Sequence, residues 1–196
     1  MRIQTTTKEV YTYEELPEEI KRKVLEKHWD INVDGDWWYD YDGKTGFTSA
    51  EIKKYRLDME HCDDLLTYKD MYFNIDRGSY IQFIDADFKH EETARKFLGV
   101  PAELWERVLW TINDCPHRET NTRLEWEFNY YDYPEDEDFT DEEKKVLDRA
   151  VERFADKVAE ALTGLRNAWE WSTSREQIEE TIKANEYEFD IDGNIA

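Results

Sequence analysis

Leu147, Val151, Phe154, Val158, Leu162, Leu165 and Trp169 recur three or four residues apart, which is the period of one face of an α-helix. Thr140 and Glu143 stand just ahead of them as a capping box, Thr-x-x-Glu, which marks where the helix begins. An apolar stripe of this length cannot stay in water. It demands a sheet or other helices to cover it, and it sets the scale of the core that the rest of the chain must build. The same helix carries Asp148, Glu152, Asp156 and Glu160, spaced about 6 Å apart by helical rise. Lys145, Arg149, Arg153 and Lys157 each precede one of these acids by three residues, so this face reads as self-neutralised and solvated.

The partners for that stripe are visible upstream. Val10–Tyr13 follows a threonine-rich lead and reads as a strand. Pro17 then suits a first helical position, and Ile20, Val24, Leu25, His28 and Trp29 fall on one helical face. Thr48 with Glu51 opens a second helix that runs to about Leu66. YFNIDRGSYIQF alternates apolar and polar residues around Arg77-Gly78, a strand–turn–strand pattern. His90 to Leu98 is helical and stops at Gly99, and Pro101 begins a helix carrying Leu104, Trp105, Val108 and Leu109. NDCPHRETN is loop. Thr122–Tyr130 is a strand with Leu124, Trp126 and Phe128 on one face, and Asp132–Asp138 is an acidic loop. Ser174 with Gln177 caps a last helix, and EYEFDIDGNI ends the chain in a hairpin turning at Asp192-Gly193. Neither a repeat nor a linker interrupts the 196 residues. The expectation is one α+β domain, residues 1–196, in which a small antiparallel sheet packs with about five helices, one of them long and in the C-terminal half.

Charge restricts what such a domain can do. Asp and Glu number 48 against 26 Lys and Arg, a formal net charge of −22. That charge repels nucleic acid and anionic membranes and attracts basic surfaces, including the grooves of proteins that bind DNA or RNA. Neither direct nucleic-acid binding nor membrane association is expected. The N-terminal residues lack the apolar run of a secretory signal, no stretch is long enough for a membrane span, and Cys62 and Cys115 suit a reduced thiol pair, so a cytoplasmic location is expected.

Catalytic and metal chemistry find no support. The four serines lie outside any nucleophile elbow, and no glycine-rich phosphate loop is present. Glu142-Glu143-Lys144 is a chance resemblance to a nuclease fragment at a helix start. Asp30, Asn32, Asp34 and Asp36 match the odd ligand positions of an EF-hand and Gly35 its glycine, but the twelfth position is Tyr41 rather than a bidentate Glu. His61-Cys62 and Cys115-Pro-His117 supply zinc-ligand types at the wrong spacing. The chain is therefore expected to be no enzyme, with no catalytic residues, no metal and no cofactor.

What remains is acid interleaved with aromatics. Asp30–Asp42 holds five acids and no base, Asp132–Glu143 eight acids and no base, and Glu176–Asp192 seven acids against Lys183 alone. In the first two, Trp37-Trp38-Tyr39-Asp40-Tyr41 and Tyr130-Tyr131-Asp132-Tyr133 place aromatic anchors among the carboxylates. Duplex nucleic acid carries one charge per roughly 1.7 Å, so a groove built for it also accepts a dense carboxylate surface. The expected partner-binding residues are Asp34, Asp36, Trp37, Trp38, Asp40 and Asp42, together with Tyr131, Asp132, Glu135, Asp136, Glu137 and Asp138. The alternative is that the acidity only maintains solubility.

The segment VYTYEELPEEIKRKVLEKHWDINVDGDWWYD, Val10–Asp40, resembles a group of uncharacterised bacteriophage and prophage proteins. They share a strand, a Glu-Glu-Leu turn, a charged helix and an Asp-Trp-Trp segment, and IDRGSYIQF, TSREQIEETIKANEYEF and DIDGN are similar to later blocks of the same group. The resemblance carries no catalytic role. It implies a phage accessory protein acting in the host bacterial cytoplasm, of a kind that includes anti-CRISPR inhibitors of host defence. Combined with the charge, it makes the expected partner the basic groove of a nucleic-acid-binding bacterial protein such as a CRISPR effector nuclease. Some members of the group are labelled antitoxin-like, so neutralisation of a toxin is one alternative, and an accessory role without inhibition is another.

Overall fold

A computed structural model of the chain describes residues 8–35, 37, 65–75, 79–114, 122–133 and 138–196. The fold is α+β: helices including one of 32 residues, and antiparallel pairing that takes the form of four two-stranded ladders among the described residues. The residues gather into two compact units, one formed by Met1–Trp37 with Ala168–Ala196 and the other by Trp38–Asn167.

The terminal unit joins the two ends of the chain. Strand β1, Tyr11–Thr12, pairs antiparallel with Glu188–Phe189 near the C-terminus. A 3-10 turn at Tyr13–Glu15 follows, with the Glu15 carboxylate accepting from the Thr12 backbone N–H at 2.8 Å. Helix α1, Glu18–Lys27, then buries Val24 and Leu25. They pack in one cluster with Tyr13, Leu16, Phe189, and Ile178 and Ile182 of the last helix. Trp29, expected on the buried face of α1, is 48% exposed. The helix ends at Lys27, so the helical period no longer directs the Trp29 side chain inward; its ring meets Trp169 edge-on at 6.2 Å.

The C-terminal hairpin forms as its sequence predicts. Gly193 sits at φ +81°, a conformation that side-chain-bearing residues rarely adopt. The Asp190 N–H donates to the Asn194 carbonyl at 2.9 Å, and Asp190 Oδ1 accepts from the backbone N–H groups of Asp192 and Asn194. The Asn194 side-chain and backbone hydrogen bonds, with the Asp192 N–H and nearby Lys8, hold the Asp190 carboxyl at about 2, below its ordinary 3.8. A carboxyl depressed on folding contributes stability above its unfolded pKa and loses it as pH falls through the folded one. Melting temperature is therefore expected to drop between about pH 4 and pH 2, and Asp190→Asn should remove part of that drop while lowering stability near neutrality. Parallel melting curves for the two proteins across this range would refute the assignment.

The central unit covers the long stripe. β3, Asp70–Asn74, and β4, Tyr80–Ile84, alternate buried and open residues, with Met71 opposite Phe83 and Phe73 opposite Ile81 on the buried face. A shorter ladder pairs β2, Leu66–Thr67, with β5, Asp87–Phe88; of the helix expected from Thr48 to about Leu66, residues 48–64 lie outside the described residues and Leu65 is helical. The helix α2, Glu91–Leu98, ends as expected at Gly99, φ +70°. The next differs: α3 is only Ala102–Trp105, and Val108 and Leu109 begin a strand, β6, Val108–Asp114. The spacing of Leu104, Trp105, Val108 and Leu109 suits a helix, but Val108-Leu109-Trp110-Thr111-Ile112 is also rich in strand formers. Pairing with β7, Thr122–Phe128, decides the matter by placing Val108 opposite Phe128, Trp110 opposite Trp126 and Ile112 opposite Leu124. The buried Thr122 hydroxyl accepts from the Phe83 N–H at 2.8 Å and so ties β7 to β4.

Helix α4, Asp141–Ser172, opens on the expected capping box. The Thr140 N–H donates to Glu143 Oε2 at 2.8 Å, and the Glu143 N–H donates to the Thr140 hydroxyl at 3.3 Å. Leu147, Phe154, Val158, Leu162 and Leu165 are buried along it, with Ala150 and Ala161 between them. The charged face departs from simple pairing. Lys157 meets Glu160 at 2.9 Å as the spacing predicts, whereas the Arg153 guanidinium donates to the Leu98 carbonyl at 2.6 Å and supplies a partner to the end of α2. Helix α5, Arg175–Ala184, begins at Ser174, whose hydroxyl accepts from the Gln177 N–H at 3.3 Å.

Candidate functional site

The described residues of the first acidic–aromatic segment fall in the terminal unit, and those of the second in the central unit. Of the first, Asp36, Trp38, Asp40 and Asp42 lie outside the described residues. Asp34 is exposed and Trp37 is half-buried. Asn32, one of the residues that give this segment its calcium-loop look, is engaged within the protein. Its amide donates to the Ser172 carbonyl at 3.0 Å and its carbonyl oxygen accepts from the Thr181 hydroxyl at 2.8 Å. Asn32 therefore fastens the segment after α1 to α5, and its side chain is committed to that task. The zinc-type residues His61, Cys62, Cys115 and His117 lie outside the described residues. Among the described residues no three His, Cys, Asp or Glu side chains are grouped to hold a metal.

Of the second segment, Glu135, Asp136 and Glu137 lie outside the described residues. The segment follows β7 in the central unit. Phe128 at the end of that strand is buried and forms the hub of an aromatic platform. Tyr130 stands 4.9 Å, Phe139 5.0 Å and Tyr133 6.4 Å from it between ring centroids, all edge-on, and Trp126 meets Phe139 at 5.6 Å. Edge-to-face packing of this kind fixes ring orientation as well as burying area.

An arginine lies on the same platform. The Arg107 guanidinium sits 5.1 Å from the Phe139 ring centre and 5.8 Å from that of Phe128, and its Nη1 donates to Glu143 Oε1 at 2.5 Å. The Thr140 backbone N–H, reinforced by the Thr140 hydroxyl and Arg107, holds the Glu143 carboxyl below its ordinary range. Glu143 thus caps the start of α4 and pairs with Arg107.

The turn itself is organised by Asn129, which is buried. Its backbone N–H donates to the Arg107 carbonyl at 2.9 Å, and its own carbonyl accepts from the Tyr133 N–H at 3.1 Å. Its side-chain oxygen accepts from the Tyr131 N–H at 3.2 Å, and its side-chain nitrogen donates to Asp132 Oδ2 at 2.8 Å. The result is an Asx-type turn. It leaves Tyr131 90% exposed, the highest value among the large hydrophobic side chains described, with Asp132 beside it and Tyr130 59% exposed.

Structure also revises the charge count. Asp138 lies 3.5 Å from Lys144, Glu142 lies 3.8 Å from Lys145, and Glu143 is paired with Arg107. Three of the eight acids of Asp132–Glu143 thus meet cations that lie outside the segment. The partners of Asp138 and Glu142 are surface pairs worth roughly 1 kcal/mol or less, so their field is softened rather than removed.

Sequence reading singled out Tyr131, Asp132 and Asp138 but missed Asn129, Arg107 and the Phe128–Phe139 platform. Asn at a strand exit, three residues before Asp and followed by two tyrosines, was the available signal for the turn. Nothing local announces Arg107, which reaches Glu143 from 36 positions away.

No protein-family model, curated protein or solved structure matches the chain. Among the described residues no helix is long and apolar enough to cross a membrane.

Proposed function

We propose that this is a phage-encoded acidic protein that binds the basic groove of a bacterial nucleic-acid-binding defence factor, of the CRISPR effector nuclease kind, and excludes the nucleic acid from it. The observation that supports this reading most is the ordered turn after β7. It presents an exposed tyrosine beside a carboxylate on a rigid aromatic base, in a chain of net charge −22. Charge brings such a surface to a basic groove and sets the on-rate, and an aromatic anchor slows dissociation. The acids at Asp34, Asp36, Asp40 and Asp42, and at Asp132, Glu135, Asp136, Glu137 and Asp138, take the place of phosphates in this reading, with Trp37, Trp38 and Tyr131 as anchors.

The test uses a purified guide-loaded CRISPR effector and its target DNA. The chain should compete with the DNA, and its affinity should fall as salt is raised, because exposed charges are screened beyond about 8–10 Å at physiological ionic strength. Changing Glu135, Asp136, Glu137 and Asp138 together to Gln or Asn should cost more than roughly tenfold in affinity while the melting temperature holds or rises, since like-charge repulsion is relieved. Asn at 138 keeps the oxygen that accepts from the Phe139 N–H at 2.7 Å. Simultaneous binding of chain and DNA, or unchanged affinity after neutralisation, would rule out mimicry of nucleic acid.

A further inference from the structure

We propose that Tyr131 is a preformed anchor for an arginine side chain of a basic protein partner and that Asn129 is the residue that positions it. The inference rests on the basic-partner reading and names the chemistry of one contact within it.

The first ground is preorganisation. An exposed tyrosine on a loose loop brings a backbone that must be ordered when it binds, in addition to its side chain. Here the backbone under Tyr131 is already held. Asn129 closes the turn through its side-chain oxygen and nitrogen and through its own backbone N–H and carbonyl, and it is 7% exposed. The Tyr130 ring, next in the chain, meets the buried Phe128 ring edge-on at 4.9 Å. Tyr131 is 90% exposed, so little of its apolar area is removed from water and it contributes little to the fold.

The second ground is the adjacent carboxylate. Asp132 Oδ2 accepts from the Asn129 side-chain nitrogen at 2.8 Å, which fixes the carboxylate's direction. A ring face beside an oriented carboxylate is what a guanidinium recognises: it stacks on the ring through its plane and donates to the oxygen from its edge. A lysine ammonium lacks that planar fork. The protein satisfies one arginine in this manner internally, since Arg107 lies against Phe139 and Phe128 with its Nη1 on the Glu143 carboxylate. Tyr131 and Asp132, neighbours in the chain and both exposed, offer the same two kinds of group at the surface, with the cation to be supplied from outside.

The experiment titrates the full chain with fluorescently labelled octa-arginine and octa-lysine peptides at low salt. The parent should bind octa-arginine more tightly. Tyr131→Ala should weaken octa-arginine binding by roughly two- to fivefold, the range of an exposed cation–π contact, and leave octa-lysine nearly unchanged. Tyr131→Phe, which keeps the ring, should behave as the parent. Asn129→Ala should lose the same preference for arginine, and adding Tyr131→Ala to it should cost little more, because both changes act on one contact. A merely structural Asn129 would lower the melting temperature and leave the arginine-to-lysine ratio intact, and that result would overturn the positioning role. A ratio unaltered by Tyr131→Ala would overturn the anchor while leaving the basic-partner reading in place. Failure of both peptides to bind would sink the anchor and the basic-partner reading together.

Discussion

Phe154→Ala is expected to cost about 3–5 kcal/mol of stability, the range for removing a large aromatic side chain from a packed core. Phe154 is 1% exposed at the middle of the α4 stripe and meets the Phe88 ring edge-on at 6.3 Å. Phe88 in turn contacts Trp105 and Trp110, so the cavity would open where a helix, a short strand and β6 converge. Domains of this size are stable by only about 5–15 kcal/mol, so the variant should unfold at a much lower urea concentration than the parent. Glu152→Ala, two residues away on the exposed face, should shift the midpoint by an amount equivalent to less than about 0.5 kcal/mol. Equal shifts for the two variants would mean that the α4 stripe does not carry the core of the central unit.

Gly99→Ala should be clearly destabilising although Gly99 is exposed. Gly99 adopts φ +70° at the end of α2, and an added Cβ would fall 1.9 Å from Arg153 Nη1. A side chain in the left-handed region costs roughly 1–2 kcal/mol, and swinging the flexible Arg153 side chain aside adds at most the net worth of its hydrogen bond to the Leu98 carbonyl, about 1 kcal/mol. The two contributions separate in a double-mutant cycle. In an Arg153→Ala background the glycine substitution should cost only the backbone part, and a strictly additive pair would show that Arg153 does not act through the α2 terminus.

The candidate site was legible in the sequence to the extent that its signals are local. Tyr131, Asp132 and Asp138 stand out because aromatics and acids alternate without a base nearby. That reading counts charges along the chain, and it treated Asp138 and Glu143 as unneutralised. Lys144 follows the segment and Arg107 comes from the turn before β6, so only the fold shows that these carboxylates already have partners. Asn129 was overlooked for a related reason: an asparagine after a strand is common, and its value here depends on the Arg107 carbonyl and the Phe128 platform that hold it in place.

The wider division has the same origin. The long helix, the end of α2 at Gly99, the β3–β4 pairing, the Ser174 cap and the Asp192-Gly193 hairpin all follow from signals contained within a few residues: helical period, alternation, a hydroxyl three residues before an N–H, or a glycine where φ must be positive. Sequence by itself determined these elements and the acidity of the chain, because each depends only on neighbours. Val108-Leu109 satisfied both periods at once, and only the register with β7 made it a strand. Pairing of Tyr11–Thr12 with Glu188–Phe189, the turn of Arg153 away from the charged face toward Leu98, and the commitment of Asn32 to Ser172 and Thr181 were decided by tertiary structure. Each joins residues dozens of positions or more apart, and no local preference encodes such a contact until packing of the apolar stripes brings the two ends together.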